Sequence, residues 1–453
     1  MTDRDLTKGS VPGLLARLTA PMLFGVLSVM SIGLADALYL ARAGESALAA
    51  SGFVYPVTVA LASFGIGLSA GASSVVSRAL GEDRREKAGR LTAHSCGFAT
   101  ALGVAAAAAM LLFGDALYSA MGASGEVAAE VGGYNFWWAL SLPPLLFSMT
   151  IFASVRAHGD ALAPAVFLVL IAAINIAAGP FLIFGWFSLP PLGAEGAGAA
   201  TFLARWLGGA AAFVYVVREG YLTAACARLK GLASSARDVF SIAAPAAGSN
   251  AINPIGMAVV TSAVATLGDA AVAGFGAATR VQAFAVVPLL ALSSAIGPMV
   301  GQNWGAEEHG RARAAMGSSW LFILGWCAFV AIVFFAFAEP IAALATPDGE
   351  ALRYASGYLA IVGLTLAGYG LTFVGNAALN ARGRPLPGLG VSVLRAFVVY
   401  AGGAWALVGA FGYDGVLAAA VAANLVAAAA AFAAASFADI APKSLAPTNW
   451  RFA

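Results

Sequence analysis

Charge is scarce in this chain. Only 10% of its 453 residues are Asp, Glu, Lys or Arg, against 61% that are hydrophobic. A soluble protein of this length needs far more polar surface, so that class is excluded. Histidine and cysteine each occur three times. His94, His158 and His309 lack metal-ligand spacing and read as surface residues. Cys96, Cys226 and Cys327 form no CxxC pair and read as small buried or interfacial residues. There is no Walker A loop, HExxH or GxSxG elbow. Nucleotide-driven pumping and familiar hydrolase chemistry therefore find no support, an enzyme is not expected, and neither cofactor nor metal is implied. A net charge of +2 gives no signal for nucleic acid. No small-residue cleavage site follows a short apolar core near the start. The first apolar run is expected to be a retained signal-anchor helix.

What the chain does have is apolar runs long enough to cross a bilayer core of ~30 Å. Twelve spans are expected, at about 18–40, 48–78, 91–114, 132–155, 164–187, 197–217, 239–267, 271–300, 314–338, 355–380, 389–411 and 415–437. The 53 glycines, with abundant alanine, suit close helix packing. Prolines inside spans (Pro21, Pro56, Pro143, Pro144, Pro180, Pro254, Pro288 and Pro298) invite kinks. Nineteen of the 24 Lys and Arg fall on one side of this topology, and only Arg42 and Arg353 on the other. The positive-inside rule then places both termini in the cytoplasm.

The second half repeats the first at an offset of 224 residues. Leu68-Ser69 returns as Leu292-Ser293, Gly81 as Gly305, Gly133-Tyr134 as Gly357-Tyr358, and Ala157-x-Gly159 as Ala381-x-Gly383. Gly196 pairs instead with Gly415, an offset of 219. A five-residue insertion is expected in the Ser188–Gly193 loop. Six spans per repeat keep both halves in the same orientation. The expected fold is an all-α membrane protein with two parallel six-helix pseudo-repeats around a central cleft. The lobes are residues 1–225 and 226–453, joined by a basic connector near Arg218–Asp238 along the cytoplasmic surface. Both lobes lie in one chain, so a monomer is expected.

Asp36 is the only acid inside an expected span. A charge there costs roughly 2.5–3.5 kcal/mol on insertion scales and suggests function. It could take up a proton, ligate Na⁺, or serve as a structural partner for a buried Arg. Asn175 and Thr201 matter only if the fold brings them to Asp36. Arg205, Arg280 and Arg395 also lie inside spans. They either snorkel to the headgroups, Arg395 foremost, or bond to helix carbonyls, or face a cavity where they would meet an anionic substrate or neutralise Asp36. The patch Tyr134, Phe136, Trp137 and Trp138 reads as an interfacial belt, with a substrate wall as the alternative.

In their order and spacing, several segments resemble the multidrug and toxic compound extrusion (MATE) transporters. They are Pro21 through Asp36 to Gly44, Gly67 through Arg78 to Gly81, Gly193–Thr201, and Ala273-Gly274-Phe275-Gly276. Most specific is Gly301-Gln302-Asn303-Trp304-Gly305-Ala306 followed by Arg311-Ala312, similar to the branch typified by the DNA-damage-inducible F proteins. Asn380-Ala381-Arg382-Gly383-Arg384-Pro385 resembles the loop after the tenth helix. The resemblance implies a secondary antiporter in a bacterial inner membrane, exporting organic cations or other amphipathic compounds in exchange for H⁺ or Na⁺. It also implies an ion-coupling set, matched here by Asp36, Asn175 and Thr201. The second carboxylate of that set, four residues after Asn175, is replaced by Gly179, which favours H⁺ over Na⁺. Pro21 is the expected hinge of the first helix. Tyr39, Arg205, Arg280 and Arg395 are candidate cavity residues for a small-molecule substrate. Two rivals remain: a flippase for lipid-linked or anionic cargo using the arginines, and a non-transporting membrane receptor or scaffold.

Overall fold

The computed structural model describes residues 5–186, 190–222, 230–346 and 349–442, and every regular element among them is helical. Cys226, Asp348, Lys443 and Arg451 lie outside the described residues. So do part of the loop expected to carry the insertion and the middle of the basic connector. The helices are α1 (Val11–Ala43), α2 (Glu45–Gly81), α3 (Arg85–Ala120), α4 (Gly125–Leu140), α5 (Leu142–Ala157), α6 (Leu162–Phe184), α7 (Gly193–Arg218), α8 (Leu232–Ala265), α9 (Asp269–Gly305) and α10 (His309–Ala336). After these come the short α11 (Ala338–Ala343), then α12 (Gly349–Val362), α13 (Leu366–Arg382), α14 (Pro385–Val393) and α15 (Gly402–Phe437). A 3₁₀ turn at Gly363–Thr365 joins α12 to α13, and a π-helical stretch at Leu394–Ala401 joins α14 to α15.

Among the described residues, nine helices are long and apolar enough to cross a bilayer, or ten when the bent pair α4–α5 counts as one span. Two more spans complete the expected twelve. One is α8, whose interior carries Pro245 and Pro254. The other comes from dividing the continuous stretch Pro385–Phe437 at Gly412. Gly412 there has φ 59° and ψ −137°, a backbone conformation open almost only to glycine. The expected fourth span is bent by 44° between α4 and α5, and Ser141 sits at the bend.

The helices form two compact units, divided differently from the expected lobes. One unit takes Ala20–Ala244, and the other takes Asp5–Thr19 together with Pro245 onward. The boundary falls at Pro245 rather than residue 225 because the first turns of α8 pack into the first unit. Val239, Ile242 and Ala243 join Leu68, Val75, Val76 and Ala88 in one buried apolar cluster. His94 Nδ1 lies 2.9 Å from Ser235 Oγ, so His94 is buried rather than on the surface. Pro21 and Pro245 are repeat partners at the 224-residue offset, and a unit boundary falls beside each. Pro245 was missed in the sequence reading.

In the second unit, the Gly301-Gln302-Asn303 segment ties down the chain start. The Gln302 side-chain oxygen accepts from the Leu6 N–H at 3.0 Å, and Asn303 Nδ2 donates to the Leu6 carbonyl at 3.1 Å. Arg311 donates from Nε to Asn303 Oδ1 at 3.0 Å and from Nη1 to the Gly9 carbonyl at 3.0 Å. The most family-specific motif is therefore a clamp that satisfies buried backbone groups.

Candidate functional site

Three helices of the first unit present polar groups at helical spacing. On α1, Asp36 and Tyr39 are three residues apart. On α6, Asn175 and Gly179 are four apart, as are Thr201 and Arg205 on α7. Each pair shares a face of its helix. The α4–α5 span adds Tyr134 and Ser141.

Asn175 and Thr201 meet directly. Asn175 Nδ2 donates to Thr201 Oγ1 at 3.2 Å, and both residues are buried. Thr201 is also hydrogen-bonded to Tyr134, whose ring lies within electrostatic range of both Asp36 and Arg205. Asp36 is half-buried, and its Oδ1 is shut off from the surface without a hydrogen-bond partner. Asn175 Oδ1 is likewise unpartnered. Arg205 interacts with Asp36 electrostatically, yet it gives its hydrogen bond elsewhere: Nη1 donates to Ser141 Oγ at 2.7 Å, at the bend of the span. Arg205 thus does not snorkel. The cluster holds one carboxylate, one guanidinium, three hydroxyls and an amide, with acceptor capacity left on Asp36 and Asn175.

Gly179, where the resemblance implies a carboxylate, has a local explanation. A Cβ there would meet the Tyr39 ring at 2.9 Å. The next residue, Pro180, has no N–H to offer the Ile176 carbonyl one turn back. The Tyr39 hydroxyl donates to that carbonyl at 3.3 Å. One side chain from α1 therefore fills the space left by Gly179 and satisfies the acceptor left by Pro180.

The aromatic patch does not behave as one belt. Successive residues on a helix point about 100° apart, so Tyr134 turns into the site while Phe136 stays exposed. Trp138 is buried in the core, and Trp137 donates from Nε1 to Glu195 Oε1 at 3.0 Å. A partial signal for Tyr134 was present in the repeat of Gly133-Tyr134 as Gly357-Tyr358.

In the second unit, Arg280 is exposed on α9 and makes no hydrogen bond or ion pair with a described residue. Arg395 differs. Of the three arginines it is the one that best fits snorkelling by sequence, but α14 begins at Pro385, so Arg395 lies ten residues into the helical segment and is only 7% exposed. Its guanidinium carbon stacks 4.3 Å from the Tyr369 ring centroid. Its electrostatic neighbours are Tyr369, Tyr358 and Tyr400. The repeat is visible in chemistry as well. Ser141 and Arg205 have Thr365 and Asn424 as repeat partners, and Asn424 Nδ2 donates to Thr365 Oγ1 at 3.1 Å.

Two repeated bundles of long apolar helices, with a carboxylate and hydrogen-bonding groups held inside one of them, define a multi-pass membrane transporter rather than an enzyme. The MatE family pattern matches residues 21–181 and 245–405, two stretches that begin at the two repeated prolines, and the chain belongs to the MATE family of transporters. It is 31% identical to the FAD transporter of Shewanella oneidensis, over 87% of this chain and 88% of that one. It is 26% identical to the probable multidrug resistance protein NorM of Thermotoga maritima, over 84% of this chain and 83% of that one. Among solved structures, the bent form of the Vibrio cholerae MATE transporter VcmN superposes with a TM-score of 0.89 at 29% identity, covering 95% of this chain and 97% of that one.

Proposed function

We propose that this transporter exports amphipathic aromatic compounds by alternating access in exchange for H⁺, with Asp36 as the proton-carrying group. The observation that carries the reading is the unpartnered Oδ1 of Asp36, held inside a span beside Tyr134, Thr201 and Arg205. Protonation removes the attraction between Asp36 and Arg205. It also turns the carboxylate into a hydrogen-bond donor near Tyr134, Thr201 and Asn175. The new bonding pattern changes how α1 sits against α6 and α7, with Pro21 as the hinge. A bound proton biases the transport cycle only by its different affinity for the two states. Gly179 leaves one carboxylate in the cluster, which favours H⁺ over Na⁺. The protein is read as a monomer in a bacterial inner membrane, with both termini cytoplasmic.

Cargo follows two readings. The relatives named for multidrug resistance support organic cations and other drugs. The relative named as an FAD transporter and the arginine without a counter-charge in the second unit support an anionic aromatic cargo.

The test uses purified protein in liposomes loaded with ethidium, under a pH gradient or a Na⁺ gradient applied separately. Efflux driven by the pH gradient and lost in Asp36→Asn is expected. Efflux in Asp36→Asn with an unchanged response to the pH gradient would overturn the coupling mechanism.

A further inference from the structure

We propose that Arg395, with Tyr369, Tyr358 and Tyr400, forms a binding site in the second unit for the phosphoryl oxyanion of an aromatic cargo. This rests on the anionic-cargo reading above and gives it a location. Arg395 lies ten residues, or about 15 Å at 1.5 Å per residue, along the helical segment that starts at Pro385, and it is enclosed by protein rather than directed to the surface. A guanidinium has five N–H donors. Among the described residues, Arg395 makes no hydrogen bond and no ion pair, and its Nε is fully enclosed without a partner. By contrast, Arg205 and Arg311 bond to side chains or carbonyls, and Arg313 and Arg384 to carbonyls.

A buried cation that none of the described residues hydrogen-bonds is costly to keep and is compensated by an anion that reaches it. The planar fork suits a phosphoryl group because it can give two parallel hydrogen bonds. Tyr369 holds the guanidinium by stacking at 4.3 Å, which orients the fork without consuming its donors. The hydroxyls of Tyr358 and Tyr400 lie near one another and in electrostatic reach of Arg395, and they offer further donors. No carboxylate is among these neighbours to compete with the anion. Arg395 also sits in the π-helical stretch, a wide turn frequent at functional sites.

The phosphoryl group could come from a soluble cargo or from a lipid headgroup, and the experiment separates them. Binding of FMN and riboflavin to the full-length protein is measured in detergent, with and without added phosphatidylglycerol, for wild type, Arg395→Gln and Arg395→Lys. The two flavins differ by the phosphate. Wild type is expected to bind FMN about tenfold tighter than riboflavin or better, the scale of one charge-assisted pair. Arg395→Gln should abolish that preference, while Arg395→Lys keeps part of it. Riboflavin binding by Arg395→Gln shows that the variant is folded. Loss of the wild-type preference on adding phosphatidylglycerol would keep the phosphoryl site but assign it to the headgroup. An FMN preference that survives in Arg395→Gln, or no preference in wild type, overturns the site. Asp36-dependent ethidium efflux does not depend on these outcomes, so either proposal can fail alone.

Discussion

Tyr39 and Gly179 are one structural feature divided between two helices. The ring occupies the place a Cβ would take at position 179, and its hydroxyl meets the carbonyl that Pro180 leaves free. In an ordinary helix interior, Gly→Ala gains about 0.5–1 kcal/mol. Here the added methyl collides with the ring, and overpacking costs about 1–3 kcal/mol. Gly179→Ala is therefore expected to lower the Tm in detergent. The loss should vanish when the substitution is made in a Tyr39→Ala background; equal losses in both backgrounds would show that the ring is not what excludes the methyl. Thr201 makes a second prediction at this scale. It accepts from Asn175 and is bonded to Tyr134, so Thr201→Val leaves buried polar groups unpaired at about 1–3 kcal/mol. Thermal denaturation of that variant, compared with Thr201→Ser, checks it: the serine should retain most of the stability.

At the scale of elements, breaks decide more than lengths. The bend between α4 and α5 is held by Arg205 on Ser141, and the corresponding 3₁₀ break is held by Asn424 on Thr365. Gly412 turns the last long helical stretch with a backbone that a side chain would strain, so Gly412→Ala should cost about 1–3 kcal/mol, measurable as a lower Tm. The clamp of Gln302, Asn303 and Arg311 holds the chain before α1. Arg311→Ala should free the backbone of residues 6–9, speed tryptic cleavage at the already exposed Lys8, and lower stability by about 1–3 kcal/mol. Unchanged cleavage would mean that the Gln302 and Asn303 bonds suffice alone.

At the scale of the whole molecule, the repeat is symmetric in build and asymmetric in charge. The first unit pairs a carboxylate with a guanidinium, while the second holds a guanidinium among tyrosines. Among the described residues Asp36 and Arg395 share no partner, so the flavin preference lost in Arg395→Gln should be the same, within about 0.3–0.5 kcal/mol, in the wild-type and Asp36→Asn backgrounds. Binding measured on both single variants and the double variant checks this; strong coupling would tie the proton and the anion to one network.

The sequence by itself determined that the chain spans a membrane, that its spans come in a parallel repeat, and that Asp36 is the costly acid among them. Hydropathy is a local sum and a repeat is a fixed offset, so both survive without knowledge of packing. Asp36 stood out by its cost, but its grouping with Asn175 and Thr201 was legible only through resemblance, since nothing in their spacing brings three helices together. Only the tertiary structure decided that Tyr134 turns inward while Phe136 does not, that Tyr39 stands where a second carboxylate would go, and that Arg395 is enclosed rather than snorkelling. Each depends on where a side chain points and on what a distant helix places opposite it, and a rotation of one residue, about 100° around a helix, is enough to exchange lipid for core.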